Sequence, residues 1–522
     1  MKVLTAAEMR EVDRRSVEAG IPGIVLMENA AHRVVEFLAE RFAPLSGQRI
    51  AILCGKGNNG GDGLAMARQI FTRFHPRALH VVLLAAPEEL KGDAAANLRM
   101  LKACGCALER EISGEGRTAT LVVDALLGTG IAGPAAGRML EAIREINSGF
   151  PLAKVVAVDI PSGMPSDSGE PLGECARADA TVTFTAPKLA HVLPPNCDRV
   201  GELRVGAIGS PPWFYQDAWR ALVEPSMFRD LLAPRPRGGH KGTFGHVLVV
   251  AGSRGKTGAA ALTGLGALRA GAGLVTVASA ASAIAEISSH APELMTEPLA
   301  ETSMGSIALN ARLEPLAEGK TVIAMGPGLG RHPDIDMLVA SATERFPQPM
   351  VLDADALTSQ VTAGGRDRES RVRVLTPHPG EMARLTGVST AAIQKDRVGA
   401  ARELATARAV TLVLKGERTI IAFPDGSVWI NPTGTPAMGT GGSGDVLTGM
   451  ISGFLAQFPD RPKEAVAAAV YLHGLAGEVG ARALGEKSLI ATDLLKYLPD
   501  AVSLAAAIAG PVEACGDVSH AL

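Results

Sequence analysis

Two strings in this chain mix glycine with acidic, amide and hydroxyl residues in a pattern that suits the binding and transfer of anions. Gly55-Lys56-Gly57-Asn58-Asn59-Gly60-Gly61-Asp62-Gly63 follows the apolar run RIAILC and precedes the helical pattern LAMARQI. Glycines there let the main chain approach a pyrophosphate closely, and the free N–H groups at a helix start favour an anion. The string is neither a conventional GxGxxG nor a Walker loop, because the GK[ST] ending is absent. A tight turn alone explains a few glycines but not Asn-Asn and Asp packed among them. The second string, Gly439-Thr440-Gly441-Gly442-Ser443-Gly444-Asp445, opens the helical run VLTGMISGFL. It gathers N–H donors where a transferred phosphoryl group develops negative charge, and it sets Asp445 to accept a hydroxyl proton. Asp445 read in isolation is equally an N-cap.

Further polar groups stand at the ends of apolar runs. In the first half these are Asp124 with Gly128-Thr129-Gly130-Ile131-Ala132-Gly133-Pro134, and Asp159 with Ile160-Pro161-Ser162-Gly163. Asn59, Asp124 and Ser162 offer no thiolate or imidazole, so any ion they hold is a hard one. Asp124 and Asp159 can also be read as helix caps. The second half carries Gly326-Pro327-Gly328-Leu329-Gly330, Thr376-Pro377-His378-Pro379-Gly380-Glu381 and Lys415-Gly416-Glu417-Arg418-Thr419. His378, fixed between two prolines, is either a packing and hydrogen-bonding residue or a ligand contact; its surroundings favour the contact.

The elements that must position these residues follow a βα rhythm. Strands are expected at Arg49 to Cys54, His80 to Leu84, Leu121 to Ala125, Val155 to Ile160, Thr181 to Thr185 and Leu203 to Ile208, behind an opening helix at Glu8 to Glu18. Short continuous apolar runs between helical patterns predict a parallel sheet covered on both faces. Between about Ser210 and His240 prolines and glycines break the pattern, which predicts a domain junction. A second series follows near Val247 to Ala251, Leu274 to Ala278, Val322 to Met325, Met350 to Asp353, Arg373 to Thr376, Thr411 to Leu414 and Thr419 to Phe423. The two glycine-loop spacings differ and no fixed-period repeat joins the halves.

The whole chain agrees. Its 522 residues exceed what one core supports, and 4% aromatics with 59 glycines favour wound α/β structure. With 51 Lys and Arg against 54 Asp and Glu, no field draws it to nucleic acid or an anionic membrane. Six cysteines without a CxxC pair argue against zinc and a disulfide framework. The opening MKVLTAAEMREVDRRS lacks the apolar core of a signal peptide, and no run suits a bilayer span, so the expected location is cytoplasmic. Ala501 to Ala509 reads as a terminal helix, and the tail after Pro499, which takes no part in the motifs, as a peripheral extension.

GKGNNGGDG, VDALLGTGIAGP, VDIPSG and TFTAPK, with the early MENA segment, resemble the YjeF N-terminal family, the NAD(P)H-hydrate epimerases, over roughly residues 1 to 210. The resemblance implies a Rossmann-like three-layer αβα domain. It implies that Asn58, Asn59, Gly60, Gly61 and Asp62, with Gly128 through Pro134, contact the hydrated cofactor, that Asp159 lies by its reactive ring, and that Asn59, Asp124 and Ser162 bind potassium. A carboxylate such as Asp159 can serve as acid or base around a hemiaminal hydroxyl; Lys188 can add positive charge. HKGTFGHVLVVAGS and NPTGTPAMGTGGSGD, with the loops above, resemble the YjeF C-terminal family, the ADP-dependent NAD(P)H-hydrate dehydratases of ribokinase-like fold, from about Arg237 to Leu498. By position, Ala259, Gly328, His378 and Asp445 would touch the hydrated cofactor. Lys415, Gly416, Glu417, Arg418, Thr419 and Gly444 would bind the adenine nucleotide, with magnesium and with Asp445 as base. The domains expected are 1–215 and 225–522, acting on NADH and NADPH hydrates with ADP, in a homo-oligomer. The rival reading is a ribokinase-like small-molecule kinase fused to a non-catalytic cofactor-binding module.

Overall fold

In the computed structural model, residues 1–358 and 371–510 are described; of the tail expected after Pro499, the part beyond 510, with Cys515, lies outside them. The chain divides into two compact units, Met1–Arg220 and Ala221–Leu522. Both are α/β with mainly parallel sheets, the expected class.

The first unit holds β1 (Arg49–Cys54), β2 (Ala78–Leu83), β3 (Leu121–Ala125), β4 (Lys154–Val158), β5 (Ala180–Phe184) and β6 (Glu202–Gly206). They form one parallel sheet in the order β2-β1-β3-β4-β5-β6. After β1 the chain goes to one side for β2 and to the other for β3, so a switch point lies between β1 and β3, where such sheets open a crevice at the strands' carboxyl ends. The opening helix is Ala6–Glu18, capped by Thr5, whose hydroxyl accepts from the Glu8 N–H. The first unit's strands are within one or two residues of those expected. Two end early for a common reason: Asp159 and Thr185, directly after β4 and β5, take φ values of 63° and 64° and turn the chain out of the ladder.

The first glycine string departs from a loop followed by a helix. Asn58 through Gly63 already form the opening turns of the helix Asn58–Arg73, and their glycines are packing residues. A Cβ at Gly60 would stand 1.9 Å from the Gly55 carbonyl oxygen, and one at Gly63 would stand 2.7 Å from the Ala125 Cβ and 2.8 Å from the Cys54 Sγ. Close approach to β1 and β3 therefore excludes side chains here. Gly61 lies against Met27 of the helix Gly23–Arg41, which carries the MENA segment. Gly60→Ala is expected to destabilise the first unit by about 1–3 kcal/mol through overpacking, read as a lowered unfolding midpoint.

The second unit contains β7 (Arg220–Leu222, spanning the division), β8 (His246–Val250), β9 (Leu274–Ala280), β10 (Met295–Leu299), β11 (Val322–Met325), β12 (Met350–Leu352), β13 (Arg373–Leu375), β14 (Thr411–Leu414), β15 (Ile420–Ala422) and β16 (Val428–Ile430). The order is β10-β9-β8-β11-β12-β13-β14-β15-β16-β7. Strands β8 to β14 pair in parallel, whereas β14-β15 and β15-β16 are antiparallel. A second switch point falls between β8 and β11. Three strands were not expected: β7, which has a single strongly apolar residue, β10, which is mostly exposed with a proline in it, and β16, whose apolar run is only Val428-Trp429-Ile430. Ala501 to Ala509 is helical, within Ala491–Ala509. No helix among the described residues is long and apolar enough to cross a membrane.

Candidate functional sites at the two switch points

In the first unit Asp124, the next-to-last residue of β3, is fully buried. Its Oδ1 accepts from the Ser162 hydroxyl at 2.5 Å and its Oδ2 from the Ser162 N–H at 2.8 Å. The Ser162 Oγ in turn accepts from the Leu127 N–H at 2.9 Å. Burial raises the Asp124 carboxyl above its ordinary range, against these hydrogen bonds. Asn59 faces the same loop: a Cβ on Gly128 would lie 3.3 Å from the Asn59 Cβ. Both polar atoms of the buried Asn59 side chain have no hydrogen-bond partner. Asn59, Asp124, Ser162 and Gly128 thus converge, and neither Asp124 nor Asp159 caps a helix. Loop residues 129–134 are half-buried to exposed. Beside the glycine string lies a pocket of 430 Å³ lined by Lys56, Gly57, Asn58, Glu89 and Lys91.

Asp159 follows β4. Its Oδ1 accepts from the Lys188 ammonium at 2.7 Å and from the Thr183 hydroxyl at 2.9 Å, and Lys188 also donates to the Thr183 Oγ1 at 2.8 Å. Lys188 is 1% exposed. Burial alone would raise the Asp159 carboxyl, but the adjacent ammonium outweighs it and holds Asp159 below its usual value. Burial, then the charges of Asp159 and Asp13, push Asp62 well above the carboxylate range. His191 is held neutral, down to about 3, by burial and by Lys188. A non-glycine residue at positive φ stores of order 1–3 kcal/mol and persists where surroundings over-determine it; Asp159 and Thr185 flank this cluster from adjacent strand ends.

In the second unit Asp445 sits in the first turn of the helix Ser443–Gln457, whose N-cap is Gly442 at φ 91°, so Asp445 is not the cap. Burial, then the nearby Asp353 charge, raise Asp445 to about 7. His473 supports the same turn, its Nε2 2.9 Å from the Ser443 carbonyl oxygen. Asp353, directly after β12, was not singled out from the sequence. It is 1% exposed and accepts from Lys415 at 2.7 Å and from the Thr448 hydroxyl at 2.8 Å. Burial opposes the Lys415 charge, yet Asp353 and Glu381 raise its proton affinity above normal. Gly444 meets this group, since a Cβ there would lie 3.4 Å from the Lys415 Nζ.

Lys415 through Thr419 form the β14–β15 turn. It is braced by the buried Arg397, which donates to the carbonyls of Glu417, Leu414 and Lys415. Gly328 and Ala259 come together across the second switch point, a Cβ on Gly328 lying 3.1 Å from the Ala259 Cβ. His378 caps the helix Pro379–Thr386: its Nδ1 accepts from Gly380 at 3.0 Å, while its Nε2 lies 3.4 Å from Glu381. Its Nδ1 therefore has the hydrogen-bonding role weighed for a lone histidine, and the imidazole is more than half exposed. Asp353 and Arg397 left no motif because their partners are 62 and about 20 residues away.

The NAD(P)H-hydrate dehydratase family model matches residues 247–500 and the YjeF-related N-terminus model residues 23–190. The bifunctional NAD(P)H-hydrate repair enzyme of Moorella thermoacetica is 45% identical, with 96% of each chain covered, and that of Thermofilum pendens is 39% identical over the same shares. A crystal structure of the ADP/ATP-dependent NAD(P)H-hydrate dehydratase of Bacillus subtilis, grown with ATP and magnesium, is 38% identical with a TM-score of 0.50, covering 55% of this chain and 98% of that one. The chain belongs to the family of bifunctional NAD(P)H-hydrate repair enzymes, which join an epimerase to a dehydratase.

Proposed function

We propose that residues 1–215 interconvert the R and S hydrates of NADH and NADPH, and that residues 225–522 dehydrate the S form with ADP as phosphoryl donor, releasing AMP and phosphate. The observation that carries this reading is Asp445: a carboxyl held near 7, in the first turn of a glycine-opened helix, with Lys415 beside Gly444.

Asp445 accepts the proton of the ring hydroxyl as that oxygen takes the phosphoryl group. The N–H groups at the helix start and the Lys415 ammonium offset charge on the phosphoryl oxygens. The ring nitrogen's electron pair then expels phosphate and restores the reduced nicotinamide. Lys415 through Thr419 and Gly444 hold the adenine nucleotide; Ala259, Gly328 and His378, through its Nε2 side, contact the hydrated cofactor. Both oxygens of Asp353 are engaged by Lys415 and Thr448. The chain thus offers magnesium only oxygen donors and little dedicated ligation, which suits an ion carried mainly by the nucleotide's phosphates.

In the first unit Asn58 to Asp62 and Gly128 to Pro134 contact the hydrated cofactor, with Asp159 at its reactive ring as acid or base. The orphaned Asn59 amide and the oxygen-only set it shares with Asp124 and Ser162 fit potassium. Bound there, the ion would offset the negative charge of Asp124 and of the cofactor's phosphates.

The test follows recovery of reduced-nicotinamide absorbance from a mixed R and S hydrate of NADH with ADP and magnesium. Full recovery that depends on ADP supports both activities. No recovery, with ATP consumed on another hydroxyl compound, would establish the kinase reading instead.

A further inference from the structure

One acidic side chain at the first site has no part in the assignments above. Asp13 lies on the opening helix Ala6–Glu18, an element separate from the strand ends that carry Asp159 and Lys188. The chain secures that helix over the site in two ways. The Leu4 N–H donates to the Pro187 carbonyl at 3.0 Å, pairing Leu4 with Lys188 as an isolated parallel bridge. Leu4, Met9 and Val12 also pack with Ala186 in one apolar cluster. Asp13 follows Val12 directly, and its Oδ1 is buried without a hydrogen-bond partner. The charged groups facing it are Lys188 and Asp159, with Asp62 of the neighbouring helix coupled to it. His191 is uncharged, and Glu8 of Asp13's own helix is paired with Arg220.

Asp13 and Asp159 therefore share one ammonium, and Asp62 is coupled to both carboxyls. Lys188 hydrogen-bonds Asp159 directly, Asp62 is driven towards its protonated form, and Asp13 remains the unpaired, exchangeable one.

Resting on the epimerase reading, we propose that Asp13 is the second proton-transfer residue of the first site, working on one face of the substrate while Asp159 works on the other. The two epimers carry the hydroxyl on opposite faces of the hydrated carbon, so proton transfers are needed on both. Asp13 takes the hydroxyl proton as the carbon–oxygen double bond forms and the ring carbon–nitrogen bond breaks, the bond pair going to nitrogen. Asp13 then delivers that proton to the nitrogen. After rotation about the adjacent carbon–carbon bond, nitrogen re-adds to the other carbonyl face, gives its proton to Asp159, and Asp159 passes it to the new hydroxyl. Both carboxylates end as they began, and nothing is oxidised. Burial, set against Lys188, brings Asp13 to about 6, which leaves it ionised at neutral pH and basic enough to accept a proton.

The experiment starts from a purified single epimer, without ADP so that the second unit is silent, and follows the other epimer by chromatography in both directions. Asp13→Asn is expected to lose about 10²-fold or more in kcat with KM within a few-fold. It should also lack the acid limb expected near 6 in the wild-type pH profile. Asp13→Ala should regain epimerisation on addition of formate, which a purely structural role would not give. ADP-dependent dehydration of the S hydrate controls for an intact second unit. Wild-type kcat in Asp13→Asn, or an Asp13→Ala chain that formate fails to rescue, would overturn the proposal. Wild-type protein that does not epimerise at all would instead remove the reading on which it rests.

Discussion

Asp445→Asn is expected to lower ADP-dependent dehydration about 10²–10⁴-fold, the range a positioned proton acceptor supplies, while leaving epimerisation intact. Asparagine keeps the shape and removes the charge, so the helix start and its glycines persist and binding of the hydrate should change far less than kcat. The same residue predicts a pH profile. Burial and the Asp353 charge raise Asp445 to about 7, and a base works only when ionised. Dehydration by the wild type should therefore fall about tenfold per pH unit below about 7 and level off above it. A variant that still dehydrates at the wild-type rate, measured as absorbance recovery from pure S hydrate, would remove Asp445 from the chemistry.

Asp159→Asn is expected to have the larger structural effect. Epimerisation should fall about 10²–10⁴-fold, so that recovery from a mixed hydrate stops near the S fraction apart from slow spontaneous epimerisation. Stability should fall as well. Lys188 is 1% exposed and its ammonium lies 2.7 Å from the Asp159 Oδ1; removing one partner of a buried pair costs about 3–5 kcal/mol, because the other charge is left uncompensated. The sign of the pH dependence follows from the lowered Asp159 value. A depressed carboxyl contributes stability above its unfolded value and loses it as pH falls through its folded value. The wild type should lose this contribution in acid, and Asp159→Asn should lack that part of the loss. Lys188→Met with Asp159→Asn, which removes both charges, should recover much of the stability and none of the activity. Thermal unfolding of the wild type, Asp159→Asn and the double variant across pH, beside epimerase rates, separates the two effects.

Much of the site was legible because its residues sit in short strings at strand ends. In a parallel sheet the carboxyl ends gather on one edge, so polar residues after β1, β3 and β4 were bound to meet. The readings that needed correction were local. Asn58 through Gly63 looked like a loop since glycine is a poor helix former, yet contact with β1 and β3 repays that cost. Asp159 and Thr185 looked like strand residues, and their positive φ appears only once adjacent strands fix the turn. His378 caps a helix through its Nδ1, a role that stands beside the contact proposed for its Nε2 side and does not replace it.

The sequence by itself determined two α/β units, the positions along the chain of nearly all buried strands, and the glycine strings with Asp159 and Asp445 that mark each candidate site. Continuous apolar runs and strand-end motifs are encoded in neighbouring residues, so they survive without coordinates. Only the tertiary structure decided which charges meet. Lys188 with Asp159, Lys415 with Asp353, and Asp13 near both Lys188 and Asp159 depend on elements 29, 62 and more than 100 residues apart. No local pattern carries that information, because proton affinity is set by burial and by the nearest charge in space, not by the nearest residue along the chain.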